Sequence, residues 1–127
     1  MKLIKKEDLS PEVLPGRHIW KAIGKDGFSI SGRMTIGFAR FSAEIGPAEP
    51  HHHAEESVYV LDAQRSWVCW GSAKDQLNQR LALQPGTLIH IPALEWHVFE
   101  CEPGGYLEIL FFYGQVDNIR PEEIKTS

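Results

Sequence analysis

Runs rich in Val, Ile, Phe, Tyr and Trp alternate along the chain with Pro15-Gly16, Gly24, Gly27, Gly46-Pro47, Pro50, Gly71, Pro85-Gly86, Pro92, Pro103-Gly104-Gly105 and Gly114. Such closely spaced turn signals predict many short strands in a sandwich or barrel. The runs place strands over 30–41, 57–61, 66–70, 77–83, 87–91, 96–101 and 106–113. Helix is expected only in short terminal windows, 6–14 and 121–125. Over 30–41, Ile30, Met34, Ile36 and Phe38 share one side and Ser31, Arg33 and Thr35 the other, which predicts a core face on the first.

Three features qualify that pattern. Arg40 falls on the apolar side of its strand. It reads either as a barrel-end charge reaching water along its own stem or as an anion-binding residue at a pocket mouth. Segment 66–70 is apolar on both faces, Trp67 and Cys69 against Val68 and Trp70. Such strands are covered on both sides, and in so small a chain a second subunit is the expected cover, hence a homodimer. Segment 106–113 is apolar except for Glu108, whose carboxylate is costly to bury without a partner. It is expected either behind a ligand histidine or at a strand end in water.

Length and charge narrow the picture. A chain of 127 residues fits one domain. It divides into an N-terminal segment 1–27, a barrel 28–114 and a tail 115–127. With 43% hydrophobic and 24% charged residues it reads as a globular protein with a real core. The net charge of -4 and the scattered Lys and Arg, apart from Lys2, Lys5 and Lys6, give no nucleic-acid surface. The first residues, MKLIKKEDLS, lack the apolar core of a signal peptide, and no stretch approaches the about 20 apolar residues of a membrane span. Cys69 and Cys101 sit in apolar runs and are expected as buried thiols in a reducing, cytoplasmic compartment.

The chemistry concentrates in the histidines. His51, His52 and His53 are consecutive, with Glu55, Glu56 and a strand following. Successive strand residues point to opposite faces, so His51 and His53 share a face and can converge on one metal. A carboxylate from the neighbouring strand can supply a third ligand. His97, which follows the turn Pro92-Ala93-Leu94-Glu95-Trp96, can supply a fourth. Imidazole and carboxylate together suit Fe(II), Mn, Ni, Zn or Cu, and four protein ligands on an octahedral ion leave two positions open. His90, inside an apolar strand, is expected as a satisfied core histidine or a pocket acid or base. His18, beside Trp20, lies in a segment that can close the barrel mouth.

Two stretches resemble the conserved motifs of the cupin superfamily. Residues 46–61, GPAEPHHHAEESVYVL, are similar to the first motif: a glycine, an HxH pair, a glutamate a few residues on and a strand closing Tyr-Val-Leu. Residues 85–97, PGTLIHIPALEWH, are similar to the second, in which a Pro-Gly turn leads to Pro-x-Gly-x-x-His. The resemblance implies a double-stranded β-helix, or jelly-roll barrel, with a metal inside one end. It matches Glu56 to the family's glutamate ligand and His97 to the histidine of the second motif.

This chain also departs from the pattern. Only two residues separate His53 from Glu56, one fewer than the family's shortest spacing. A shortened turn makes His51 and His53 the ligands, the preferred reading. A rigid spacing puts His52 in the second position and Pro50 in the first; a longer one uses His51 with Glu49 before it. Leu94 stands where the family has glycine, and Cys101 where it often has asparagine.

An open-coordinated metal polarises an oxygen, activates water or binds dioxygen. The expected function is therefore a metal-dependent enzyme, an isomerase, lyase or dioxygenase, acting on a small sugar-like or carboxylate metabolite. Arg40, His90 and Glu108 are the candidates for acid, base or anion contacts. A non-catalytic ligand-binding or sensor barrel is the alternative, because a fold by itself does not choose a reaction.

Overall fold

The structure, a computed structural model, describes residues 1–123. Eight strands carry it: β1 (Glu12–Leu14), β2 (Arg17–Gly24), β3 (Ser29–Ile30), β4 (Thr35–Ser42), β5 (Glu56–Gly71), β6 (Gln79–Ala82), β7 (Leu88–Ile91) and β8 (Trp96–Tyr113). They hydrogen-bond in the order β1-β2-β4-β8-β5-β6, with β3 beside β2 and β7 beside β5. Among the described residues no helix is long and apolar enough to cross a membrane.

Two long strands make the sheet roll up. β5 has 16 residues and β8 has 18, and each spans two of the predicted strands. The first half of β5 pairs with the last half of β8, Val58 opposite Phe111, and the second half pairs with the first, Val68 opposite Phe99. The register shifts between Val60 and Asp62 and between Gln64 and Ser66. Arg65 there has φ 48° and Gly104 φ 79°. A Cβ on Gly105 would lie 2.5 Å from the Arg65 carbonyl oxygen, so only glycine fits that approach. Pro103-Gly104-Gly105 therefore bends β8 from one wall of the barrel to the other without ending it, as bulges do. Phe41 of β4 and Phe99 of β8 meet across the interior, 5.1 Å between ring centres. Val58, Val60, Val68, Leu107 and Ile109 fill the space around them.

Several expectations are corrected. Residues 30–41 are not one strand, and the core face of β4 is the other one: Gly37, Ala39 and Phe41 are buried, while Ile30 is 73% exposed and Met34 37%. β4 is apolar on both faces, so alternation alone cannot choose between them. Size chooses: a Cβ on Gly37 would stand 2.6 Å from the Phe111 ring, so the small residues turn toward the crowded side. The window 6–14 is a short 3-10 turn, Lys6–Asp8, followed by β1, which pairs with β2. At the other terminus a 3-10 turn covers Pro121–Glu123, and the rest of that window lies outside the described residues. Within residues 12–24, β1 pairs with β2 and β2 with β4, so this stretch joins the rolled sheet. The Arg80 guanidinium of β6 stacks over the Trp67 ring at 4.0 Å.

Candidate metal centre

The loop between β4 and β5 carries His51 and His53, and three backbone clamps fix it. His51 and His97 exchange reciprocal hydrogen bonds, His51 N to His97 O at 3.0 Å and His97 N to His51 O at 2.9 Å. The Leu94 N–H donates to the His53 carbonyl at 2.8 Å, and Ala54 N–H to Ile119 O at 2.8 Å. Leu94 makes its bond from the left-handed region, φ 65°, a conformation that costs a non-glycine residue about 1–2 kcal/mol. The glycine-to-leucine departure thus leaves the turn intact, at the cost of local strain.

Side chains from these clamped segments converge. One ring nitrogen each from His51, His53 and His97 lies within 4.8 Å of the others. The tautomers follow from the neighbours. His51 Nδ1 faces Glu49 O at 3.1 Å, His53 Nδ1 faces Ala54 O at 2.8 Å, and His97 Nδ1 faces Glu95 O at 2.8 Å. A carbonyl oxygen only accepts, so each Nδ1 carries the proton and donates it. Burial holds the rings neutral: it lowers the His53 pKa to about 4 and that of His97 to about 3, and lowers His51 as well. Each Nε2 therefore presents a bare lone pair. His53 Nε2 and His97 Nε2 lie 3.1 Å apart, lone pair toward lone pair, with no proton between them. A shared cation satisfies that arrangement, and Nδ1–H bonded to a backbone carbonyl is how metal-binding imidazoles are oriented.

Glu56, first residue of β5, turns inward and is 6% exposed. Its Oε1 lies 3.4 Å from His53 Nε2; with His53 neutral, that contact is not an ion pair. Burial raises its pKa to about 7, opposed by a hydrogen bond from Tyr113. Tyr113, its pairing partner on β8, also brings its hydroxyl to 3.5 Å from His53 Nε2. Burial, and then the charge and hydrogen bond of Glu56, raise the phenol pKa, so Tyr113 keeps its proton. A cavity of about 180 Å³ opens onto this group and is lined also by Arg17, Ile19 and Phe41.

The remaining candidates lie elsewhere. His52 turns away from the cluster and stacks on Trp96, ring centres 4.0 Å apart and planes 13° from parallel. Arg40 and Glu108 face outward, paired across β4 and β8 at 2.5 Å, with Lys6 3.8 Å from the same carboxylate oxygen. Glu108 is therefore not behind a ligand histidine, and Arg40 is not at the pocket mouth. His90 is exposed and not a core histidine; it lines a separate cavity of about 310 Å³ that His97 also lines, outside the cavity of Arg17 and Glu56, and bonds Glu55 at 2.6 Å. His18 lies opposite Arg40 on the outer face, against Trp20. Cys69 is buried and Cys101 half-buried, both as free thiols. Two cavity residues escaped the sequence reading, Arg17 and Tyr113. Alternation carried the signal, Arg17 with Ile19 and Tyr113 with Phe111, but only a known inner face makes it readable.

No protein-family profile matches the sequence, and no curated protein matches it. Solved structures do. The polyketide cyclase RemF from Streptomyces resistomycificus superposes with a TM-score of 0.70 at 24% identity, over 88% of this chain and 78% of that one. A protein from Planctomyces limnophilus superposes at 0.71 and 17% identity, over 97% and 94%. An oxalate decarboxylase from Lactobacillus farciminis, solved as a formate complex, superposes at 0.68 and 20% identity over 89% of this chain, which spans 33% of that longer one. At these identities the likeness speaks for architecture. The rolled antiparallel sheet, the two motifs and these superpositions agree, and the chain has the cupin fold.

Proposed function

We propose that the protein is a metal-dependent cupin enzyme acting on a small oxygenated metabolite, with a divalent ion held by His51, His53, His97 and Glu56. The observation that carries the reading is the set of three imidazoles, His53 and His97 buried and His51 half-buried, whose Nδ1 atoms are spent on backbone carbonyls, with one ring nitrogen of each within 4.8 Å of the others and the Nε2 atoms of His53 and His97 facing each other at 3.1 Å. A shared cation removes that opposition, since each ring's own N–H is committed to a backbone carbonyl.

The four side chains suit iron, manganese, nickel, zinc or copper, and the bound ion would polarise a substrate oxygen or lower the pKa of water. Around it, Tyr113 holds a proton at its hydroxyl and can donate it to an oxygen in the cavity. Glu56, near neutrality in its proton affinity, can exchange one. Ile19, Phe41 and Phe111 exclude bulk water from the inner wall. Isomerase, lyase and dioxygenase chemistry all fit such a site. RemF is named a cyclase and the oxalate decarboxylase a decarboxylase, so the fold carries several reactions. A small-molecule sensor, with the same metal and no turnover, is the second reading.

Elemental analysis of tag-free protein beside His97→Ala and Glu56→Ala tests the proposal. Near-stoichiometric metal in the wild type, lost in both variants, supports it; iron directs assays to dioxygen chemistry, the other ions to isomerase and lyase assays. No metal, even after reconstitution with several divalent ions, overturns it. A homodimer is proposed as well. Tyr59, Leu88 and Phe112 leave apolar surface exposed on the outer face, and light scattering at twice the 14.4 kDa chain mass is the expected result.

A further inference from the structure

We infer that Arg17 is the specificity residue of this cavity and that the ligand is a small carboxylate, bound with one end on the guanidinium and the other on the metal group. The inference rests on the proposed metal centre and adds to it the class of molecule that enters.

Arg17 opens β2, and strand alternation turns it inward with Ile19, while His18 and Trp20 turn outward. Its backbone is held in place. Gly16, at φ 79°, presses so closely on the loop before the histidines that an added Cβ would lie 2.8 Å from Ala48 Cα. The turn that delivers Arg17 and the loop that delivers His51 and His53 are thereby locked together. One guanidinium nitrogen donates to Pro15 O at 3.3 Å. Among the described residues no carboxylate pairs with Arg17 within 4.0 Å, although Arg40, on the outer face, has Glu108. The other donors of the fork are free for a ligand, and a planar fork matches a carboxylate in bidentate fashion.

Charge bookkeeping in the cavity points the same way. Arg17 and Glu56 are the two formally charged side chains that line it. Glu56 is the one carboxylate lining the cavity, against a permanent guanidinium and, in the loaded protein, a divalent ion. Positive charge exceeds negative in a partly desolvated space, and an anion restores the balance. Arg17 lines the same cavity as His51, His53, Glu56 and Tyr113, which places it beside that group. The cavity, about 180 Å³ and open to solvent, accommodates a small acid such as a 2-hydroxy or 2-oxo acid.

The test titrates glycolate, and its neutral analogue glycolamide, into Co(II)-loaded protein. Binding is read from the visible cobalt absorbance and by calorimetry, so no turnover is needed. Wild type, Arg17→Gln and Arg17→Lys are compared, each first shown to hold cobalt stoichiometrically. The expected result is glycolate bound more tightly than glycolamide. Arg17→Gln should weaken glycolate by about tenfold or more, the loss of a charge-assisted bond, and leave glycolamide unchanged. Arg17→Lys, which keeps the charge and loses the fork, should fall between. Cobalt bound normally with glycolate affinity equal in wild type and Arg17→Gln overturns the role of Arg17 and leaves the metal centre standing; so does a glycolate that does not bind at all. A wild type that takes up no cobalt overturns the metal centre and this inference with it.

Discussion

Two clusters of polar side chains sit on opposite faces of the rolled sheet, and they are built on opposite principles. On the outer face, Glu108 meets Arg40 at 2.5 Å and Lys6 at 3.8 Å, each about a third exposed. Every charge there has an opposite charge and access to water, so the cluster is finished. On the inner face, one ring nitrogen each from His51, His53 and His97 meets the others within 4.8 Å, beside the buried carboxylate of Glu56. That group is unfinished in the chain alone. The comparison teaches that a charge on an apolar strand does not mark a site; buried polar atoms without complements do.

Removing an inner ligand should be the most damaging. Losing a residue that only hydrogen-bonds a metal ligand costs about 10–100-fold in affinity, so His53→Ala and His97→Ala should lose more than about 100-fold, measured by competition with a chelating dye. Acidity should act on the inner group through Glu56. Its folded pKa, about 7, is above the ordinary carboxylate value, so below pH 7 a proton must leave before metal binds. His53 and His97 hold no proton until about pH 4 and 3, and contribute nothing to that limb. Metal Kd should therefore rise about tenfold per pH unit from pH 7 toward 5 in wild type, and stay flat in Glu56→Gln.

The metal-free protein should show the strain of the unfinished group. The raised pKa of Glu56 works against stability as pH rises from 4.5 to 7, because the folded state holds the proton longer than the unfolded one. The lowered histidine pKa values act in the opposite direction, and their contribution is lost as pH falls from 6.5 through 4 and 3. Glu56→Gln should accordingly flatten the upper part of the melting profile between pH 5 and 7. The outer cluster should matter least. A double-mutant cycle on Arg40 and Glu108, both partly in water, should give a coupling of about 1 kcal/mol or less, with metal content unchanged. His90→Ala, an exposed partner of Glu55, should move neither stability by more than about 0.5 kcal/mol nor metal uptake.

Sequence pattern made the all-β barrel and the histidine group readable for different reasons. The two motifs fix where His51, His53, Glu56 and His97 stand relative to turns, and turns are local. The faces were harder. β4 carries Ile36 and Phe38 on one side and Ala39 and Phe41 on the other, so alternation is present without a sign. The sign came from Phe111, a strand far along the chain. The same missing sign promoted Arg40 and Glu108 to candidates and hid Arg17 and Tyr113. The bends in β5 and β8 were hidden because Pro103-Gly104-Gly105 carries the same residues as a chain reversal. What distinguishes a bulge is the partner strand at Arg65.

The most direct test of the central claim is a crystal of tag-free protein loaded with zinc or cobalt and measured at the metal's absorption edge. The account predicts one anomalous peak about 2.1 Å from the Nε2 atoms of His51, His53 and His97, with the Nδ1 atoms still on their carbonyls. A peak on Nδ1 atoms, a peak outside this group, or none at full loading would contradict it.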